Sequence, residues 1–161
     1  MPIAVGTQVP ADPAGFVLSE QGPAKTTLGE VTAGKKIVMF GVPGAFTGTC
    51  TNEHLPSYLR EAEALGAKGV DGIVCLAAND VFVLDAWNSQ HGGREITMLS
   101  DGNGEIAAAL DLAVDLGAVG FGRRVTRFAA VIDDGTVTSL DVEENPGVCS
   151  VSAAGAILAK L

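Results

Sequence analysis

Cys50 closes the run Pro43-Gly44-Ala45-Phe46-Thr47-Gly48-Thr49-Cys50. An apolar stretch, Ile37-Val38-Met39-Phe40, lies just upstream, and a segment with helical spacing follows. A thiol at such a strand-to-helix junction sits beside unpaired N–H groups and the positive end of a helix dipole. That surrounding favours the thiolate, which is the nucleophilic and redox-active form of cysteine. The position turns Cys50 from core filler into a nucleophile. Cysteine without such a context is most often a small buried hydrophobe. Cys75, in the middle of an apolar run, fits that role as well as a chemical one. Cys149 lies in Pro146-Gly147-Val148-Cys149-Ser150, a loop composition.

The elements around these residues follow from periodicity. Lys36–Gly41 is continuous and apolar and reads as a buried strand. Over residues 50–67, Leu55, Tyr58, Leu59, Ala62 and Leu65 fall at helical steps. Pro56 lies inside this pattern, removes one N–H and predicts a kink or restart. Gly72–Ala77 is a second buried strand. Asn79-Asp80 can cap a helix carrying Val81, Phe82, Leu84 and Trp87, which ends near residues 91–93. Ile96–Ser100 reads as a third strand and residues 105–112 as a short helix. Residues 128–132 and 136–140 read as strands joined through Asp134-Gly135, a strong hairpin signal. Residues 153–161 read as a last helix. Residues 1–34, rich in Gly, Pro, Ala and Thr, read as loops with a possible hairpin. The order predicts one domain over residues 1–161: an α/β fold with a mixed central sheet covered by helices on both faces. Its first two strands run parallel, because each returns through a helix.

Composition excludes several classes. The chain has 161 residues, 47% hydrophobic, and a net charge of −9. An acidic surface repels phosphate backbones and argues against nucleic-acid binding. Arg123, Arg124 and Arg127 form the basic exception; Arg123 and Arg124 read as solvated surface. No apolar run is long enough to span a membrane. The N-terminal residues lack the basic region and apolar core of a signal peptide, which predicts a cytoplasmic protein. Three widely spaced cysteines form no zinc pattern and no secreted disulfide framework. The glycine-rich stretch 117–122 follows no strong strand and opens no helix, so a phosphate loop is disfavoured. No metal, haem or nucleotide site is expected. Absence of any Cys-x-x-Cys disfavours a general disulfide oxidoreductase.

The spacing Pro43-x-x-x-Thr47-x-x-Cys50 resembles the active-site signature of the peroxiredoxins, thiol-dependent peroxidases on a thioredoxin-like fold. Residues 40–47 and His54-Leu55-Pro56 resemble their type II, atypical two-cysteine branch. Asn79-Asp80-Val81-Phe82, Trp87 and the stretch from Arg127 to Gly135 extend the likeness. The resemblance implies that Cys50 is the peroxidatic cysteine. It further implies that Pro43 and Thr47 shape its site and that Arg127 is the matching arginine. Gly48 stands where the branch often has proline. Implied substrates are hydrogen peroxide and alkyl hydroperoxides. The implied reductant is thioredoxin, or glutathione with glutaredoxin, and the implied assembly is a homodimer formed near the active-site loops.

Peroxide reduction is thiolate attack on one oxygen with hydroxide or alkoxide leaving. Lowering a thiol from about 8.5 to about 6 raises the thiolate fraction at neutral pH roughly 30-fold. Lost nucleophilicity takes back roughly 10-fold of that. Most of the rate must therefore come from donors fixed around the two oxygens, each worth about 3–4 kcal/mol. Arg127 can supply a permanent cation, and the backbone N–H groups of residues 48–50 further donors. The Thr47 hydroxyl can accept from the peroxide. Pro43 stiffens the loop. His54 reads equally as a base near the thiolate or as helix packing, and Trp87 as core.

Attack leaves a sulfenic acid that must be reduced before overoxidation. Cys149 matches the resolving cysteine of some members of the branch, and Cys75 the partner thiol of plant-like members. Cys149 is favoured because a resolving thiol must travel. An external thiol could also attack directly. A second class of function, a redox sensor or chaperone-like binding protein, would use the same cysteine as a switch.

Overall fold

The computed structural model describes residues 1–93 and 95–161. The chain runs β1 (Ala14–Ser19), β2 (Gly22–Thr27), α1 (Leu28–Thr32), β3 (Lys36–Gly41), a wide turn (Cys50–His54), α2 (Leu55–Ala67), β4 (Gly72–Ala77) and α3 (Val81–Gln90). It continues through β5 (Ile96–Ser100), α4 (Glu105–Leu110), β6 (Ala113–Asp115), β7 (Arg123–Val125), β8 (Phe128–Asp133), β9 (Thr136–Val142) and α5 (Ala154–Leu158).

Seven strands make one mixed sheet in the order β2-β1-β5-β4-β3-β8-β9. β3 and β5 both run parallel to β4, while β8 runs antiparallel to β3. The parallel strands are central, and β3 and β4 are buried over nearly their whole length, as their uninterrupted apolar runs require. Alternation along β3 sends Val38 and Phe40 to one face and Ile37 and Met39 to the other. The first face packs against Leu55, Tyr58 and Leu65 of α2, Leu84 and Trp87 of α3, and Ile157 of α5. The second packs against Leu28 of α1 and Ile106 of α4. Helices thus cover both faces.

Local chemistry fixes the turns that matter. Asp80 caps α3, its carboxylate accepting from the N–H groups of Phe82 and Val83. Asp134 and Gly135 have φ of 46° and 81°, the pair of positive values that a two-residue hairpin needs. The wide turn precedes Pro56: the Leu55 N–H donates to the carbonyl of Cys50, five residues back, and Pro56 can donate nothing.

Two short strands, β6 and β7, pair antiparallel outside the main sheet and were not legible in the sequence. Each is three residues long, too short for periodicity to register, and the glycine-rich stretch 117–122 is the turn that joins them. The amino-terminal region holds the anticipated hairpin, β1 with β2, and in addition α1, which Thr27 caps by accepting from the Glu30 N–H.

Candidate active site

The loop between β3 and the wide turn is held at three points. The Ala45 N–H donates to Asn79 Oδ1 at 2.9 Å, which ties the loop to the start of α3. Arg124 Nη1 donates to the Pro43 carbonyl at 3.0 Å. The Thr47 hydroxyl donates to the Gly44 carbonyl at 2.6 Å. That bond spends the hydroxyl proton, so Thr47 Oγ1 keeps its lone pairs and serves as an acceptor, the role expected of it toward a peroxide. Gly44 leaves room for Arg124: a Cβ there would lie 2.9 Å from Arg124 Nη1 and 3.1 Å from Thr47 Cγ2, so a side chain would displace the guanidinium. Phe46, at φ 64°, adopts a conformation that bulky residues avoid, and its ring is half exposed.

Cys50 lies fully buried in the first turn of the helical run. Arg127, just before β8, is 2% exposed and reaches across to it. Each of its three nitrogens has one partner. Nη2 donates to Cys50 Sγ at 2.9 Å, Nη1 meets His54 Nδ1 at 2.8 Å, and Nε donates to the Pro146 carbonyl at 2.8 Å. The planar fork fixes these directions relative to one another. A full positive charge with a directed N–H therefore faces the sulfur.

The tautomer of His54 follows from its partners. Nε2 lies 3.0 Å from the Ser152 carbonyl, which can only accept, so Nε2 carries the proton. Nδ1 then accepts from Arg127, which can only donate. Burial, reinforced by the Arg127 charge, lowers the His54 pKa to about 3. Its single lone pair is occupied, which decides between the two roles left open by the sequence. His54 is no base for the thiolate; it orients Arg127. Phe40 stacks on Tyr58 with ring centroids 4.1 Å apart and tilts against His54 at 4.9 Å, and the Tyr58 hydroxyl donates to the same Ser152 carbonyl at 2.8 Å.

All three cysteines are free thiols. Cys75 sits on β4, on the sheet face that also packs Cys50, and is fully buried. Burial pushes its thiol well above the ordinary value, and the neighbouring Cys50 adds to this. Cys149 is half-buried in the loop between β9 and α5. That loop is fastened to the Cys50 region by Arg127 on Pro146 and by the Thr49 hydroxyl, which donates to the Gly147 carbonyl at 2.7 Å. Burial raises the Cys149 thiol too, against the opposing pull of Ser152 and Arg127.

Arg123 is exposed as expected, but Arg124 is not a free surface residue. Besides Pro43, it donates through Nε to the Phe121 carbonyl at 2.9 Å, and its guanidinium lies 5.3 Å from the Phe121 ring centroid. The tight β6–β7 turn, invisible to periodicity, directs it inward. Trp87 is fully buried, as expected, and its indole N–H donates to Thr51 Oγ1 at 3.1 Å. Sequence reasoning also passed over Glu143, whose partners Ser150 and Ser152 lie seven and nine residues on at no regular spacing, and Ser152, whose carbonyl contacts to His54 and Tyr58 are long-range. Among the described residues, no group of three or more His, Cys, Asp or Glu side chains is arranged to hold a metal.

This is a thioredoxin-like α/β fold presenting one buried thiol to a fixed arginine. The redoxin family model matches residues 4–158. The chain is 42% identical to peroxiredoxin-2C of Oryza sativa subsp. japonica over 99% of both chains. It is 41% identical to the chloroplastic peroxiredoxin-2E of Arabidopsis thaliana, covering 94% of this chain and 66% of that one. It is similar to the solved structure of reduced Prx3 from Vibrio vulnificus in complex with hydrogen peroxide, at 43% identity and TM-score 0.92 over 98% of both chains. The chain belongs to the redoxin family and, within it, to the peroxiredoxins; it is a thiol peroxidase, an oxidoreductase.

Proposed function

We propose that Cys50 is the peroxidatic thiol and that Arg127 is the principal donor to the reacting oxygens, with hydrogen peroxide and alkyl hydroperoxides as substrates. The observation that carries this reading is the 2.9 Å contact from Arg127 Nη2 to Cys50 Sγ within a guanidinium held on its other edges. The Cys50 thiolate attacks one peroxide oxygen and the O–O bond breaks. Water or an alcohol leaves after protonation, and Cys50 becomes a sulfenic acid. The Arg127 cation stabilises charge on the departing oxygen without reorganising. Thr47 Oγ1, with its proton committed to Gly44, accepts from the peroxide and fixes its orientation. Pro43 and Arg124 hold the turn that carries Thr47.

Cys149 then attacks the sulfenic sulfur, expelling water and forming a disulfide with Cys50. Its half-buried loop position supports this assignment over Cys75, which is locked in a central strand. A dithiol reductant, thioredoxin or glutaredoxin with glutathione, exchanges with that disulfide and restores both thiols. A cytoplasmic setting, with its dithiol supply, belongs to the same reading. So does a homodimer: the exposed side chains of Phe46, Phe82, Val119 and Phe121 give apolar surface for a second copy near the active-site loop. Sedimentation equilibrium tests it, a monomer at micromolar concentration refuting the dimer.

The direct test is a peroxide-consumption assay coupled to thioredoxin or glutaredoxin. Cys50→Ser abolishes turnover. Cys149→Ser leaves one oxidation of Cys50, trapped by dimedone as a sulfenic adduct, and stops further turnover with thioredoxin. Undiminished turnover by Cys50→Ser would refute the assignment.

A further inference from the structure

The segment from Glu143 to Ala153 does more than carry Cys149. Glu143 is buried, at 7% exposure, just after β9. Its Oε1 accepts from the Ser150 N–H at 2.6 Å, the Ser152 N–H at 3.0 Å and the Ser152 hydroxyl at 2.9 Å, while Oε2 accepts from the Ser150 hydroxyl at 3.2 Å. Burial alone would push this carboxyl up, but the hydrogen bonds from Ser152 and Ser150 outweigh it and hold the carboxyl below its ordinary value. A buried carboxylate is expensive, and charge-assisted bonds of this kind are what stabilise it.

The bonds continue inward. Ser152, fixed by Glu143, offers its carbonyl to His54 Nε2 and to the Tyr58 hydroxyl. His54, its tautomer set by that carbonyl, accepts from Arg127 Nη1. Arg127 donates from Nη2 to the reacting sulfur. Every link is a hydrogen bond of 2.8 to 3.0 Å between groups that are buried or backbone. A loop capped merely for its own order needs no carboxylate placed at the outer end of such a chain.

We infer that Glu143 is a positioning residue for the peroxide step: through the Ser152 carbonyl and the His54 ring, its carboxylate aims Arg127 at Cys50. This rests on the proposed peroxidatic role of Cys50. The same carboxylate restrains the loop of Cys149. Movement of Cys149 toward Cys50 works against the bonds from Ser150 and Ser152 to Glu143 and from Arg127 to the Pro146 carbonyl. Disulfide formation therefore opposes the arrangement that serves the peroxide step, and Glu143 acts on the two steps in opposite directions.

The test separates those steps by stopped flow on the reduced protein with hydrogen peroxide, following the emission of Trp87, the single tryptophan, whose indole bonds to Thr51 beside Cys50. Glu143→Ala slows the peroxide step about 10-fold or more, as misaimed donors do, and speeds disulfide formation. Glu143→Gln keeps an oxygen for the Ser150 and Ser152 N–H groups and restores most of the peroxide rate. Glu143→Asp, too short to span both serines, falls between them and serves if the alanine variant does not fold. A folded alanine or aspartate variant that reacts with peroxide at the parental rate overturns the inference, as do equal losses in the alanine and glutamine variants. A slowed peroxide step with unchanged disulfide formation supports it and removes Cys149 as the resolving thiol. Loss of native near-ultraviolet circular dichroism in the alanine and glutamine variants alike, with the aspartate variant at the parental rate, overturns it in favour of a purely structural role.

Discussion

Arg127 Nη2 stands 2.9 Å from Cys50 Sγ, and the residues contributing the two groups are 77 positions apart in the chain. The pairing is made by adjacent antiparallel strands: β3 leads into the Cys50 loop, and Arg127 immediately precedes β8 beside it. Arg127→Lys keeps the charge but loses the fork. A lysine cannot face Cys50, His54 and Pro146 at once. The second-order rate constant with hydrogen peroxide falls about 100-fold or more, the loss typical of one fixed donor to a developing oxyanion. Stopped-flow kinetics on the reduced enzyme checks this; a loss under threefold would show that charge alone suffices.

Acid weakens the fold through His54. Its folded pKa is about 3, against an ordinary value of 6.5. Between these values the unfolded chain binds a proton that the folded protein refuses, so the contribution is fully present above pH 6.5 and is lost as pH falls toward 3. The decline reaches about 1.4 kcal/mol per pH unit once the unfolded imidazole is protonated. Glu143, held low, adds loss in the same direction at lower pH. Urea unfolding from pH 6.5 to 5 checks the slope: His54→Gln starts less stable but flattens it, and an unchanged slope would contradict the assignment.

Resolution responds to pH in the opposite region. Burial holds the Cys149 thiol above its ordinary value, so little of it is thiolate at neutrality. The rate of disulfide formation after peroxide oxidation rises with pH from 6 to 8.5 by nearly the tenfold per unit expected of a thiol far below its pKa. The Trp87 signal reports it, and a plateau near pH 7 would refute a protonated resolving thiol.

Gly48 is not demanded by its backbone. Its φ is not in the left-handed region, and a Cβ added there meets nothing within 4 Å. Gly48→Ala removes freedom from the unfolded chain and stabilises by about 0.4–1 kcal/mol, or a few degrees in Tm. Thermal unfolding checks it; a lower Tm would mean that the turn uses glycine for another reason.

The central strands were legible because β3 and β4 are continuous apolar runs and β5 is a short, mostly apolar one, and their bounds were met to the residue. The restart of the helix at Pro56 was legible because proline lacks a donor. Cys50, Thr47, Pro43 and Arg127 were singled out by their spacing and by a family resemblance. What the sequence withheld was the second tier around them. Arg124 read as surface because its target, the Pro43 carbonyl, is a backbone group 81 residues away. His54 stayed ambiguous until its two nitrogens had partners. Glu143 and Ser152 have neither periodicity nor motif to mark them; Glu143 gains its partners when the loop folds back on it, and Ser152 meets His54 and Tyr58 only when the chain returns over α2.

The most direct measurement is peptide mapping by mass spectrometry after the fully reduced protein meets one equivalent of hydrogen peroxide. The account requires loss of two hydrogens, with a disulfide joining the peptides of Cys50 and Cys149. Cys50 left unmodified, or joined to Cys75 instead, would contradict it.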